Sequence, residues 1–159
     1  YKDVFGNPFT PAFMGISNYI PMGRVLGATP CGRRNGDPSS EGVSPYVGTD
    51  KSTPLAAMRS TTKVNQEIHS GGTLLNLRLD PNLVATKRGQ ANLGAMIQTL
   101  FSLGAFHVQF NCISSDTLRD AQAHPEKYPH LQVRVCGWNV YFVNLSRAEQ
   151  DEFIARAEA

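Results

Sequence analysis

The side chains here that can do chemistry are four histidines, three cysteines and a paired arginine, and none stands at a spacing that makes a site. His69, His107, His124 and His130 lack a partner at acid–base distance along the chain. His107, in an alternating stretch, reads as a hydrogen-bonded sheet residue in preference to a catalyst. Cys31, Cys112 and Cys136 are odd in number, far apart and without a CxxC pair, so no zinc or iron–sulfur site is expected and no metal is assigned. Cys112 and Cys136 read as small hydrophobes in strands, in reduced form. Arg33 and Arg34 in "GRR" read as a solvated turn in preference to an anion site, and the Gly-rich run 27–48 has neither phosphate-loop nor dinucleotide spacing. What remains is Gly137, inside the strand-like run "VRVCGWNVYF". A glycine weakens a strand, and on pattern alone it marks a turn or bulge. A second chemistry is open to it. A glycine Cα radical carries no Cβ, so it can flatten while the flanking amide nitrogen and carbonyl delocalise the unpaired electron, and a backbone glycine can store a radical.

The elements that would position such a residue are legible in part. Ser52 or Thr53 can cap a helix over 52–68 with Pro54 at its first position. "GTLLNLRLD" (72–80) places Leu75, Leu77 and Leu79 on one face at period two and reads as a strand. From Lys87 to Leu103, Leu93, Met96, Ile97 and Leu100 follow helical spacing, and Gly104 stands where a helix commonly stops. "AFHVQFNCI" (105–113) alternates, with Phe106, Val108, Phe110 and Cys112 expected on one face. "SSDTLRDAQA" opens on cap residues and stops before Pro125, giving a short helix followed by the turn "PEKYP". "LQVRV" and "NVYFVNL" read as strands on either side of Gly137. Ser146 and Glu149 form a capping box for a closing helix with a Phe153, Ile154 and Ala157 stripe.

The first fifty residues are of another kind. They hold eight of the fourteen glycines and six of the ten prolines, which argues for loops and against regular helices. Phe5, Phe9, Phe13, Met14, Tyr19 and Ile20 give this segment more apolar surface than a free linker carries, so it is expected to lie against a larger body. The 159 residues and 41% apolar content suffice for one domain with a core. Fifteen basic residues against thirteen acidic ones leave no footprint for nucleic acid or a charged membrane surface. No apolar run approaches the roughly 18 residues that span a bilayer, and no leader is visible, so a cytoplasmic protein is expected.

"RVCGWNVYF" resembles the signature of the pyruvate formate-lyase-like glycyl radical enzymes, Arg-Val-x-Gly followed by an aromatic residue. The likeness extends to "IPMGRVLGATPCGRRNGDPSSEGVSPYVGTD" (20–50), "GGTLLNLRLDP" (71–81), "HVQFNCISSDTLRDAQAHPEKY" (107–128) and "RAEQDEFIARAEA" (147–159), in family order. The resemblance implies an α/β fold, the C-terminal part of a ten-stranded α/β barrel carrying the glycyl radical loop and a closing C-terminal helix. It divides the chain into a loop-rich barrel segment, 1–50, and a glycyl radical domain, 51–159. Gly137 would hold the radical, with Arg134, Cys136 and Trp138 supporting the loop, and substrate-binding residues stay unassigned. No cofactor would be bound in the resting enzyme; a separate activating enzyme with S-adenosylmethionine and a 4Fe-4S cluster would take the hydrogen atom. The glycyl radical would generate a thiyl radical on a cysteine of another loop, and that thiyl would attack a small organic substrate.

Two departures bear on this expectation. Trp138 stands where the family usually has Tyr or Phe, and Cys136 where Ser or Ala is usual. Nothing in the chain matches the loop bearing the thiyl-forming cysteine, so the chain alone is expected to be inactive. Its partners would be the rest of the parent barrel, the activating enzyme, substrate and a second copy in a homodimer. The chain reads as a piece of a longer enzyme of diol dehydratase, choline lyase, aryl decarboxylase or arylalkylsuccinate synthase type, the last two preferred. The alternatives are a detached spare-part radical protein, and a binding or assembly module in which Gly137 is only a turn.

Overall fold

A computed structural model describes residues 1–15, 18–46, 49, 52–135 and 137–158. The proposed supporting residue Cys136 lies outside the described residues. The elements are α1 (Tyr19–Val25), α2 (Pro54–Thr61), β1 (Asn76–Arg78), α3 (Pro81–Val84), α4 (Lys87–Ser102), β2 (Gln109–Asn111), α5 (Ser115–Ala123), β3 (Gln132–Val135), β4 (Trp138–Tyr141) and α6 (Arg147–Glu158). Single 3-10 turns follow α5 and β4, at Pro125–Lys127 and Phe142–Asn144. The chain is thus α/β, with β1 and β2 pairing in parallel and β3 and β4 forming an antiparallel hairpin.

Leu74 and Leu75 explain how two cores arise from one strand. Successive side chains of an extended chain point to opposite faces. Leu74 therefore enters a core with Leu118, Ala121, Val133, Phe142 and Ile154, while Leu75 and Leu77 enter another with Ala57, Met58, Leu100 and Ala105. The first core lies between α5, the hairpin and α6; the second lies between the parallel pair, α2 and α4. Phe142, fully buried, anchors the first.

Helix α4 matches its expected span to within a residue, with Thr86 accepting from the Gly89 N–H at 3.0 Å and Gly104 at φ 90° just beyond its end. Its stripe faces inward as expected, although only Leu100 is fully covered. The Ser146–Glu149 capping box forms in both directions, Ser146 N–H donating to the Glu149 carboxylate at 2.9 Å and Glu149 N–H to Ser146 Oγ at 3.4 Å. Four expectations need correction. Helix α2 ends at Thr61, where the Thr61 and Thr62 hydroxyls turn back onto the Met58 and Arg59 carbonyls and compete with a further turn. Gln66 is then freed to accept from Thr73 Oγ1 at 2.6 Å and the Phe106 N–H at 3.2 Å in a buried position. The strand expected to run on from Asn139 to Leu145 stops at Tyr141, because Phe142 turns into the core. Around β2 the alternation holds only in part: Val108 and Phe110 pack on the second core, but Gln109 is buried too, while Phe106 and Cys112 are exposed. And the loop-rich segment does contain a helix, α1, with Pro21 in its first turn where its missing N–H costs no bond.

That segment is tied down by charge. Arg33 is no solvated turn residue: it is buried, and its guanidinium donates to the Gly23, Gly27 and Asp37 carbonyls. Gly23 has to be glycine, since a Cβ there would overlap Asp37 and Pro38. Glu41, also buried, pairs with Arg156 of α6, which in addition holds Glu152 at 3.0 Å and lies 5.0 Å over the Tyr19 ring. Burial works against the Arg156 charge, but Glu41, Tyr19 and Glu152 outweigh it and hold the guanidinium charged more firmly than in water. The apolar side chains of the opening residues stay uncovered, Phe5 and Phe9 among them.

Breaking a buried pair on one side strands the other charge, at a cost of about 3–5 kcal/mol. Glu41→Ala should fall near the lower end, about 3 kcal/mol, because Glu152 still faces Arg156. A urea midpoint within error of the wild type would show that the pair does not hold the segment.

Candidate functional site: the Gly137 hairpin

The site is built on the register of the hairpin. Val135 pairs with Trp138, Arg134 with Asn139, Val133 with Val140 and Gln132 with Tyr141, which places Gly137 in the turn. Tight hairpin turns need positive φ, and Gly137 has φ 107°. A Cβ at that position would meet none of the described residues beyond its chain neighbours within 4 Å, so backbone conformation, not lack of space, calls for glycine. The turn reading of Gly137 is therefore correct as geometry. The Cα is also open to approach, since Gly137 is exposed.

The two faces of the hairpin are chemically distinct. Val133 and Val140 point into the core shared with α5 and α6. Gln132, Arg134 and Asn139 lie on the other face, where Arg134 Nη1 donates to Asn139 Oδ1 at 3.2 Å and Asn139 Nδ2 to Gln132 Oε1 at 3.3 Å. The series continues into the parallel pair. Arg134 Nε donates to Gln109 Oε1 at 3.3 Å, Gln109 Nε2 donates to Asn76 Oδ1, and the Asn76 N–H donates to Ser44 Oγ at 2.9 Å. Asn111 adds a second link: its Oδ1 accepts from the Arg134 N–H at 2.8 Å and its Nδ2 donates to the Arg134 carbonyl at 3.1 Å. Arg134 thus lies one pair from the turn-closing residues, facing Asn139 across the hairpin. Gln109, Asn111 and Asn139, which were not singled out, are what it works with. Alternating polar residues in "HVQFN" were the available signal.

Trp138 is 47% exposed and borders an apolar hollow of about 180 Å³ with Tyr19, Ile20, Val140, Leu145 and Phe153. Its side chain thus lines a groove beside β4 that begins next to the turn. Behind the hairpin a smaller cavity of about 110 Å³ is lined by Arg78, Arg134, Arg156, Asn76 and Asn111 among others. α6 supports the exit of the hairpin, because buried Gln150 donates to the Phe142 carbonyl at 3.0 Å and to that of Leu145 at 3.3 Å.

The remaining candidates are not brought to this site as catalysts. His107 Nδ1 accepts from the Leu75 N–H at 3.4 Å, so the ring serves as the last acceptor of the parallel pair. Burial, then the nearby Arg134 charge, push its pKa down. Cys112 is not a buried strand residue; it follows β2 and is exposed, as is Cys31. Partial burial pushes the Cys112 thiol up, away from the reactive thiolate. Among the described residues, no three His, Cys, Asp or Glu gather to hold a metal ion, and no helix is long and apolar enough to cross a membrane.

Residues 39–143 match the family model "Glycine radical". The chain belongs to the glycine radical family. It is 37% identical to the trans-4-hydroxy-L-proline dehydratase of Clostridioides difficile, over 99% of this chain and 21% of that one. It is 39% identical to the indoleacetate decarboxylase of Tractidigestivibacter scatoligenes, over 96% of this chain and 17% of the other. The glycerol-bound B12-independent glycerol dehydratase from Clostridium butyricum superposes with a TM-score of 0.92 at 40% identity, over 98% of this chain and 20% of that structure. The chain therefore spans about a fifth of the length of the relatives it matches.

The His107 contact carries a pH dependence. With a folded pKa below the unfolded value of about 6.5, the unfolded chain binds the extra proton. Stability from this ring is fully present above about pH 6.5 and declines as pH falls through the folded pKa. The His107 ring, followed by NMR, should titrate below about pH 6.5. A midpoint at or above that value would remove the buried acceptor role.

Proposed function

We propose that this chain is the radical-storing portion of an anaerobic glycyl radical enzyme and that Gly137 carries the radical. The observation that supports the reading most directly is Gly137 itself: a glycine at φ 107°, at a turn whose Cα is unobstructed, within a family named for a glycine radical. A Cα centre that loses a hydrogen atom must flatten. A glycine can do so without moving a side chain, and among the described residues beyond its chain neighbours none stands within 4 Å of where a Cβ would be. An activating enzyme using S-adenosylmethionine and a 4Fe-4S cluster would take that hydrogen, so the chain itself need hold no cofactor.

Its own residues act as scaffold. Arg134 links the hairpin to the parallel pair, Trp138 lines the groove beside β4 next to the turn, and Cys136 adjoins the glycine in sequence. In the parent enzyme, a ten-stranded barrel would enclose this tip and supply a cysteine. Hydrogen transfer from that thiol to Gly137 would leave a thiyl radical to abstract hydrogen from a small organic substrate. Bond cleavage of the lyase type would follow, as in relatives named as a dehydratase and a decarboxylase. A homodimer and a cytoplasmic location complete the proposal.

Electron paramagnetic resonance of the anaerobically activated parent should give a doublet from the one remaining α-hydrogen, absent in Gly137→Ala. Admitting air should then cut the chain at residue 137, which a gel resolves. A doublet that survives Gly137→Ala would place the spin elsewhere and defeat the proposal.

A further inference from the structure

We propose that Asn111 is the positioning residue of the Gly137 hairpin, docking the edge of β3 onto the parallel pair; this rests on Gly137 being the radical carrier. Gly137 is exposed, and none of the described residues beyond its chain neighbours stands within 4 Å of where a Cβ would be, so no packing there fixes it. Its place is inherited from β3. In an antiparallel ladder alternate pairs turn their N–H and C=O groups outward. With Val135 and Trp138 closing the turn, Arg134 is the residue whose backbone groups face out. The Asn111 amide meets both, accepting at 2.8 Å and donating at 3.1 Å, as one residue of a third strand would.

Few side chains could replace it. Asp accepts but cannot donate, Leu does neither, and Gln is a methylene longer. Because the grip is on backbone, it fixes the strand whatever rotamer the Arg134 side chain adopts. Gln109 reinforces it through Arg134 Nε at 3.3 Å, so both anchors come from β2. The attachment on this face is polar throughout, while the apolar face of the hairpin packs on α5 and α6. Losing the amide should leave the chain folded and the glycine able to form a radical, but should let the tip leave its place more often.

The test uses the full parent protein, activated anaerobically, with dioxygen as the probe. Dioxygen adds to the carbon radical and destroys the doublet, at a rate set by how often the tip is undocked. Each hydrogen bond should shift the docked ratio about fivefold. Asn111→Asp, which keeps the acceptor and loses the donor, should speed loss of the doublet about fivefold, and Asn111→Leu about 25-fold. Met58→Ala, in the other core, controls for general destabilisation and should leave the rate unchanged. Wild-type rates in the Asn111 variants, or equal acceleration in Met58→Ala, would overturn the proposal. A folded Asp variant that gains no spin would overturn it as well, because positioning matters only once the radical exists. If Asn111→Leu does not fold, the Asp variant decides. Failure of the underlying reading shows separately, as a wild-type protein with no glycine doublet or a doublet that persists in Gly137→Ala.

Discussion

A turn that displays a bare Cα can be held only by its strands, and that constraint shapes the whole chain. The glycine offers no side chain to anchor, so the hairpin must be fixed through its two faces. On the apolar face, Val133 and Val140 commit to the core around Phe142. On the polar side, Arg134 meets Gln109 and Asn111 and is backed by Asn139, which in turn bonds Gln132. Hydrophobic burial is non-directional and supplies the strength, while hydrogen bonds have geometry and set the position. Dividing the two tasks between opposite faces lets one short hairpin be both stably attached and accurately placed.

The helix α6 extends the same logic to the loop-rich segment. Its apolar stripe closes the core beneath the hairpin, and Arg156 reaches across to Glu41, linking residues far apart in sequence. A charge pair this buried gains less from attraction than it would lose if one partner went missing. Its effect is therefore specificity: α1 and the following loop can sit only where Glu41 meets Arg156. Tyr19 beneath the guanidinium makes that position more selective still.

What could be seen in the sequence followed from how local the cause was. Helix α4, the capping box at Ser146 and the turn at Gly137 depend on a few neighbouring residues, and each appeared where those residues placed it. The burial of Gln109 depends on partners far along the chain, and that of Arg33 on carbonyls that gather only when its own loop closes. Gln109 shows why: a polar residue in an alternating run reads as the solvent face, unless a distant arginine is known to wait for it. α1 was hidden for a similar reason. A Pro- and Gly-containing stretch has little intrinsic helicity, and this one is held by Ser39 bonding to the Tyr19 carbonyl at 3.0 Å and by the packing of Tyr19 and Ile20. The polar anchors of the hairpin were invisible as a set, because they join only once β2 and β3 lie side by side.

The two readings of Gly137, as a turn and as a radical carrier, are not rivals once the geometry is in view. A tight turn selects glycine because positive φ strains any residue with a Cβ. Radical storage selects glycine because a Cβ would hinder flattening of the Cα. The same absence of a side chain would serve both needs, and a turn has the further property of presenting its Cα outward, with none of the described residues beyond its neighbours within 4 Å of where a Cβ would be. A glycine in the middle of a strand would satisfy the second requirement and still be masked by its neighbours. Placing it at the end of a hairpin whose body is gripped on both faces makes the carbon approachable and its position determined, and those are the two conditions that hydrogen-atom transfer to a fixed partner imposes.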